Sequence, residues 1–160
     1  MRLVFLFISI LFSATITMAQ NLMQTFYEVE GAPLKEEFSV NSKNELDGEY
    51  SSYFMDGTIK SQGFFSQNVS TGEWRYYFES GELRMVGNVV QGKNNGLWQY
   101  YYESGGKKME GYLEDGKRTG NWVVYASNGA KQSEGRYENN ARVGIWKYYA
   151  NTGGLKASEE

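Results

Sequence analysis

Apolar and polar residues alternate along most of the chain, and glycine interrupts the alternation at regular intervals. The segment Gly72–Gly87, GEWRYYFESGELRMVG, contains an aromatic-rich run, a Ser-Gly pair and a second apolar run. A period of two predicts half-buried β-strands, and the Ser-Gly pair predicts a tight turn between them. Because glycine interrupts every window and no 3.6-residue period is present, the pattern disfavours helices.

The same pattern recurs every 24 residues without an insertion. It begins with a glycine column: Gly48, Gly72, Gly96, Gly120 and Gly144. Two positions later come Tyr50, Trp74, Trp98, Trp122 and Trp146. Three positions further come Tyr53, Tyr77, Tyr101, Tyr125 and Tyr149, the tyrosine column. A fixed period of this length indicates a repeat architecture in which each repeat is one supersecondary unit.

The pattern predicts that each repeat forms one β-hairpin. In the repeat that starts at Gly72, the strands are expected at Glu73–Glu79 and Glu82–Val90, joined by a two-residue loop at Ser80-Gly81. The next hairpin follows a six-residue connection, QGKNNG, whose second position in every repeat is glycine or asparagine. These residues tolerate a left-handed backbone, so a positive φ is expected there. The members of this column are Asn44, Asn68, Gly92, Gly116 and Asn140.

The register of the hairpin separates two faces. A two-residue loop pairs Trp74 with Gly87, pairs Tyr77 with Arg84, and puts Leu83 on the tryptophan face. A side chain at the glycine would collide with the indole opposite, and the same rule applies to Gly63, Gly111 and Gly135. Aromatic stripes with strand periodicity usually pack in a core. The predicted core ladder therefore consists of Trp74, Trp98, Trp122 and Trp146.

Two segments, GKNNGLWQYYYESGGKKMEG (Gly92–Gly111) and GKRTGNWVVYASNGAKQSEG (Gly116–Gly135), resemble the MORN-repeat variant of bacterial proteins. Proteins built from this repeat are often labelled YwqK-like antitoxins. The resemblance covers about residues 42–159. It implies an all-β fold, an elongated antiparallel meander with one hairpin per repeat, and a function as a scaffold or binding surface.

The N-terminus predicts export. Residues 1–19 have the pattern of a secretory signal peptide, with Arg2, an apolar run and small residues before an expected cleavage after Ala19. An uncleaved anchor is the alternative. Residues 20–41 are interpreted as an N-terminal cap with a degenerate first repeat, and residues 42–160 as the repeat domain. The expected location is the periplasm, the cell envelope or the exterior, with no stable membrane insertion after signal removal.

The composition of the chain limits the partners and the reactions that we expect for it. The chain of 160 residues has 16 Lys and Arg, 19 Asp and Glu, no His and no Cys. The acidic balance argues against nucleic acid as a partner. Lack of His and Cys removes the usual general base, the thiol nucleophile and the preferred zinc ligands, so no enzyme activity, metal or cofactor is expected. The G-x-x-x-x-G-K matches at Gly87–Lys93 and Gly111–Lys117 lack the Ser or Thr and the helix of a phosphate loop.

The tyrosine column is the candidate binding surface. Its members are expected on the more polar face, about 9.5 Å apart along the sheet. The residues expected directly across from them are Lys60, Arg84, Lys108, Gln132 and Lys156. Such a platform suits an extended peptide or a glycan chain, whereas cross-strand Tyr–Lys packing would be purely structural. Arg84 and Lys108 are included in the candidate site.

A protein or peptide partner is the first hypothesis, bound by the tyrosine platform or by strand addition at an open sheet edge. A carbohydrate-binding module that uses the tyrosines, and an envelope antitoxin or immunity protein, are the alternatives. Further cations are expected at loop tips along one edge, where charge keeps a sheet soluble. These are Lys93, Lys117, Arg118 and Arg142.

Overall fold

The computed structural model describes residues 21–159, so the predicted signal peptide at residues 1–19 lies outside the described part. Every element in this part is a β-strand. The strands are β1 (Asn21–Phe26), β2 (Leu34–Val40), β3 (Leu46–Tyr53), β4 (Ile59–Ser66), β5 (Val69–Tyr77), β6 (Leu83–Val90), β7 (Lys93–Tyr101), β8 (Lys107–Glu114), β9 (Lys117–Tyr125), β10 (Lys131–Glu138), β11 (Ala141–Tyr149) and β12 (Leu155–Glu159).

The strands form one open antiparallel sheet in which each strand lies beside its neighbours in sequence. The predicted all-β meander of hairpins is therefore confirmed. β1 and β2 extend the same sheet, because Phe38 of β2 pairs with Tyr50 of β3. The turn between them contains Pro33, whose carbonyl accepts a hydrogen bond from the Tyr27 amide at 3.0 Å. Residues 21–159 contain no helix with the length and hydropathy of a membrane span.

One kind of turn is shorter than the sequence predicts. Only Gln91 and Gly92 join β6 to β7, with φ values of 49° and 76°, so the six-residue connection is wrong and β7 begins at Lys93. Two positive φ values in a two-residue loop define a type I′ turn, whose twist matches that of the flanking strands. The expected positive φ is confirmed throughout its column: Asn44 (61°), Asn68 (66°), Gly92 (76°), Gly116 (81°) and Asn140 (72°).

The other kind of turn is one residue longer than predicted. The Phe78 amide donates to the Glu82 carbonyl at 2.8 Å, which closes a three-residue loop instead of the two-residue loop at Ser80-Gly81. Gly81 has a φ of 86°, as expected where a type I turn ends in a left-handed residue and a bulge. Arg84 forms a β-bulge without a partner on β5, which compensates for the extra loop residue. The strand pairs beyond the bulge, including Trp74 with Gly87, therefore keep their predicted register.

The tryptophans lie in a row along one face, which we call the Trp face. Each is at most 6% exposed, and Trp98 is 0% exposed. Within residues 21–159 there is no second layer, so the indoles are covered by side chains of neighbouring strands. Ring centroids are 6.4 Å apart for Tyr76–Trp98, 6.4 Å for Trp98–Tyr100 and 6.2 Å for Tyr100–Trp122. The core is thus a continuous aromatic ladder.

The mid-strand glycines make this ladder possible. The predicted pairing of Trp74 with Gly87 is present, but the predicted collision partner is wrong. A Cβ on Gly87 would lie 2.2 Å from Cδ2 of Trp98, on the following strand. Gly87 pairs with a tryptophan on each side, and the three atoms nearest to the added Cβ all belong to the indole of Trp98. The same contact joins Gly63 to Trp74, Gly111 to Trp122 and Gly135 to Trp146.

Candidate binding surface

The tyrosine column lies on the face opposite the tryptophans, which we call the Tyr face. Tyr76 pairs with Met85 and packs in the ladder, so the next residue, Tyr77, points to the other side. Tyr77 pairs with Leu83, so Leu83 also lies on the Tyr face and its predicted position on the Trp face is wrong. All five members are half-buried: Tyr53, Tyr77, Tyr101, Tyr125 and Tyr149.

The residues across from these tyrosines differ from the prediction. Tyr101 pairs with Lys107, and the predicted partner Lys108 occupies the bulge, as Arg84 does one repeat earlier. The three-residue loop is the cause, since it moves the pairing by one residue. The Lys108 ammonium lies 5.5 Å from the ring centroid of Tyr102 instead. The same shift removes the other predicted partners, Lys60, Gln132 and Lys156.

Four tyrosine hydroxyls of the column donate hydrogen bonds within the sheet. Three of the acceptors are on the last strand of the preceding hairpin, so these three bonds join successive repeats. They run from Tyr77 to Gln62 (3.1 Å), from Tyr125 to Glu110 (2.9 Å) and from Tyr149 to Glu134. Tyr101 differs, because its hydroxyl bonds Gln99 of its own strand at 3.4 Å. These hydroxyls are already used as donors before any ligand arrives.

Two lysines add charge to these contacts. The Lys107 ammonium is 2.8 Å from the Glu110 carboxylate, and the Lys131 ammonium is 2.7 Å from that of Glu134. The hydrogen bond from each lysine lowers the pKa of its glutamate. Burial, together with the bond to Glu110, raises the pKa of Tyr125 to about 12. Tyr125 therefore stays a neutral donor to the ionised Glu110 carboxylate at neutral pH.

The repeats vary at these positions in a coordinated way. Lys107 and Glu110 in one hairpin correspond to Leu83 and Val86 in the hairpin before it. An ion pair in one repeat thus takes the place of an apolar pair in another, and both lie beside the tyrosine column. This paired change is visible in the sequence, but it is missed when each column is considered alone.

Exposed apolar side chains on the Tyr face are scattered over several strands. Leu97 and Tyr112 pair directly across β7 and β8 and are 42% and 52% exposed. Phe64 and Ile145 are exposed on other hairpins. Single exposed apolar residues are normal on protein surfaces, and a binding surface needs a contiguous patch. The Tyr face therefore has limited apolar surface for docking.

The two edge strands differ sharply. β1 has the sequence NLMQTF with no charged residue, and Leu22, Met23 and Phe26 are 62%, 42% and 50% exposed. β12 has the sequence LKASE, is exposed throughout, and carries Lys156 and Glu159. Charged side chains on an edge strand discourage further strand pairing. Only the β12 edge has this protection.

The prediction that Arg118 and Arg142 are loop-tip cations is wrong. Each lies inside a strand, and its guanidinium carbon stacks on the tryptophan four residues later, at 4.8 and 4.3 Å from the ring centroid. The other two predicted tip cations, Lys93 and Lys117, are the first residues of β7 and β9. The G-x-x-x-x-G-K segments therefore lead into strands.

Shallow grooves lie on the surface of the described residues. A shallow groove of about 430 Å³ lies between turns and is lined by charged residues including Glu114, Lys117, Arg136 and Glu138. Pockets for small molecules are mostly apolar, so this groove is a poor candidate. No group of three His, Cys, Asp or Glu side chains in residues 21–159 is placed to hold a metal ion.

Comparison with known proteins identifies the repeat. The family model described as the MORN repeat variant matches residues 46–67 and 70–91. The first match contains β3 and β4, and the second contains β6 and all of β5 except its first residue, so each covers one hairpin closed by a three-residue loop. No curated protein matches the chain. Residues 46–91 of this chain therefore carry two adjacent copies of the MORN repeat variant.

Proposed function

We propose that this chain is an exported, non-enzymatic MORN-repeat protein that binds a protein partner by adding an extended segment of the partner to β1. The observation that carries the proposal is the contrast between the edges, since β1 is uncharged and exposes Leu22, Met23 and Phe26, whereas β12 is charged. A strand added to an unprotected edge gains main-chain hydrogen bonds along its whole length. YwqK-like proteins of bacteria are the group in which we place it, on the resemblance of its repeats.

The β1 edge also continues the aromatic ladder. Met23 pairs with Phe38, Phe38 pairs with Tyr50, and the Tyr50 ring lies 5.7 Å from that of Trp74. A strand paired with β1 would place one of its side chains beside Met23 on the Trp face. Side chains at alternate positions give selectivity in this mode of recognition. The preferred segment is therefore uncharged, with a large apolar residue at that position.

Glycan binding by the tyrosine column has weaker support. A sugar would stack on the tyrosine rings, but these are half-buried, and the Lys107 ammonium lies 6.0 Å from the ring centroid of Tyr125. The hydroxyls of Tyr77 and Tyr125 also already donate to Gln62 and Glu110. Cross-strand contacts of this kind stabilise sheets without any ligand. These contacts favour a structural role for the column, so we assign binding to the edge. An antitoxin role would be one case of protein binding, with the toxin as partner.

The test uses the exported form, expected from Gln20 onward, as bait in an envelope extract of the source organism. The variant Leu22→Lys/Met23→Lys charges the β1 edge at two exposed positions. Leu155→Lys is the matched control on the other edge, because Leu155 is 64% exposed, close to the 62% of Leu22. A retained protein is identified by mass spectrometry, purified, and mixed with the bait for amide hydrogen exchange.

We expect a partner that is held by the original protein and by Leu155→Lys and is lost from the double variant. Its complex should protect the β1 amides from exchange, since strand addition covers them. Equal retention by all three baits, protection confined to other strands, or no retained protein would each contradict edge binding. Export is tested separately by the mass of the protein recovered from the envelope, which should start at Gln20.

A further inference from the structure

The C-terminal hairpins carry an arginine pair that earlier hairpins lack. Arg118 and Arg142 occupy the same position of successive repeats. In the earlier repeats this position holds Leu46, Ser70 and Asn94. Arginine is not needed to cover the tryptophan, because Trp98 is fully buried in the repeat that has Asn94. The pair thus departs from the repeat without a requirement of the fold.

Both guanidinium groups approach one buried tyrosine. Tyr137 is 8% exposed and pairs directly with Arg142 across β10 and β11. Arg118 Nη1 donates to the Tyr137 hydroxyl at 3.3 Å, and its Cζ lies 5.3 Å from the centre of that ring. In earlier repeats the Tyr137 position holds Phe65, Val89 and Leu113. A hydroxyl therefore enters this apolar column only where the two arginines are found.

The positive charge of this cluster is only partly compensated. Among residues 21–159, neither guanidinium lies within 4.0 Å of a carboxylate. Glu159 reaches the rim, where its carboxylate accepts from the Tyr148 hydroxyl at 3.3 Å, and that hydroxyl accepts from Arg142 at 3.0 Å. Burial raises the pKa of Tyr137, but hydrogen bonds from Arg142 and Arg118 outweigh it and lower the pKa. Arg142 reaches one carboxylate through the Tyr148 hydroxyl, whereas Arg118 has none within salt-bridge distance among residues 21–159, so one positive charge remains.

The geometry points to a carboxylate-binding site formed by Arg118, Arg142 and Tyr137, suited to an acidic side chain or the C-terminus of a peptide. A guanidinium stacked on an indole presents its N–H donors at its edge, and the donors that do not bond Tyr137 or Tyr148 match a planar carboxylate in bidentate fashion. A monoanion balances the remaining charge. A dianion would add a second negative charge beside Glu159.

The site can be tested with sodium acetate as the probe. In ¹⁵N-labelled protein the four tryptophans give four indole N–H signals, which are followed by NMR while chloride keeps the ionic strength constant. The signals of Trp122 and Trp146, on which the arginines stack, should shift and saturate. Those of Trp74 and Trp98 should not move, and they serve as internal controls. Absence of saturation, or equal shifts of all four signals, would overturn the site.

Substitutions separate this site from general charge effects. Arg142→Gln should weaken acetate binding by about tenfold or more, the loss of a charged hydrogen-bond pair. Arg142→Lys should also weaken it, because an ammonium lacks the bidentate fork. Arg75→Gln, at a cation 54% exposed in its side chain, is the matched control and should leave binding unchanged. Tighter binding of sulfate than of acetate, or an unaffected Arg142→Gln variant, would refute the assignment. Four dispersed indole signals establish that each variant is folded.

Discussion

Alanine at Gly87 is the sharpest test of the aromatic ladder. The added methyl group would lie 2.2 Å from Cδ2 and 2.3 Å from Cε2 of Trp98, well inside any van der Waals contact. The indole cannot move aside easily, because Trp98 is fully buried between the rings of Tyr76 and Tyr100. The backbone or the ladder must therefore shift to admit one carbon atom.

The expected cost follows from this geometry. Overpacking a core costs typically 1–3 kcal/mol, and a clash with a ring that is held on both sides belongs at the upper end, at about 3 kcal/mol. For a domain of this size that corresponds to a fall in melting temperature of roughly 10 °C. Gly106→Ala is the control, since its nearest neighbour would be 3.8 Å away and its φ is not positive. It should be neutral or slightly stabilising.

The assay is urea unfolding followed by circular dichroism and tryptophan fluorescence, whose coincidence establishes a single transition. A double-mutant cycle then identifies the ring responsible. In a Trp98→Phe background the Gly87→Ala penalty should fall by more than half, because the six-membered ring is smaller. In a Trp74→Phe background the penalty should remain. Relief by Trp74→Phe, or a Gly87→Ala cost no larger than that of Gly106→Ala, would refute the argument.

Three further predictions concern turns, hydroxyls and pH. Asn140→Ala should lower the free energy of unfolding in urea by about 2 kcal/mol. Asn140 has a φ of 72°, and its side chain accepts a hydrogen bond from the Arg118 amide at 2.7 Å. Asn140→Gly should cost about half as much. Tyr125→Phe should cost about 1 kcal/mol through its bond to Glu110, and Tyr53→Phe should cost less. The pKa of Glu110 is lowered from its usual value of 4.5, so the ionised carboxylate stabilises the fold at every pH above 4.5. This stability is lost as the pH falls through the lowered pKa. Glu110→Gln should therefore reduce the acid sensitivity of the protein.

The sequence is sufficient to predict the sheet but not the details of its loops. Period-two alternation and the 24-residue spacing predict the meander, and a column of only Gly and Asn predicts its positive φ. Ser80-Gly81 is compatible with both a two-residue and a three-residue loop. The two differ by a bulge at Arg84, and a bulge depends on pairing along the whole ladder. No local residue pattern reveals that choice.

The contacts of the tyrosine column could not be predicted from the sequence, for a related reason. The Tyr125 hydroxyl bonds Glu110 across the boundary between two hairpins, so its partner depends on how β8 pairs with β9. When each hairpin is considered alone, the predicted partner of a column tyrosine is instead a cation of the same hairpin, such as Lys108. The paired change from Leu83 and Val86 to Lys107 and Glu110 was the available signal. Comparing pairs of columns across repeats would have revealed it.

In a repeat protein of this kind, the constant columns and the variable columns carry different information. Glycine and tryptophan recur because every indole needs a neighbour without a side chain, and that requirement is the same in each hairpin. A position that satisfies no such requirement is free to change, as the series from Leu46 to Arg142 does. Function is therefore best sought where several free positions change together. Arg118, Arg142 and Tyr137 meet that condition at one end of the sheet, and the uncharged β1 edge is an independent departure at the other.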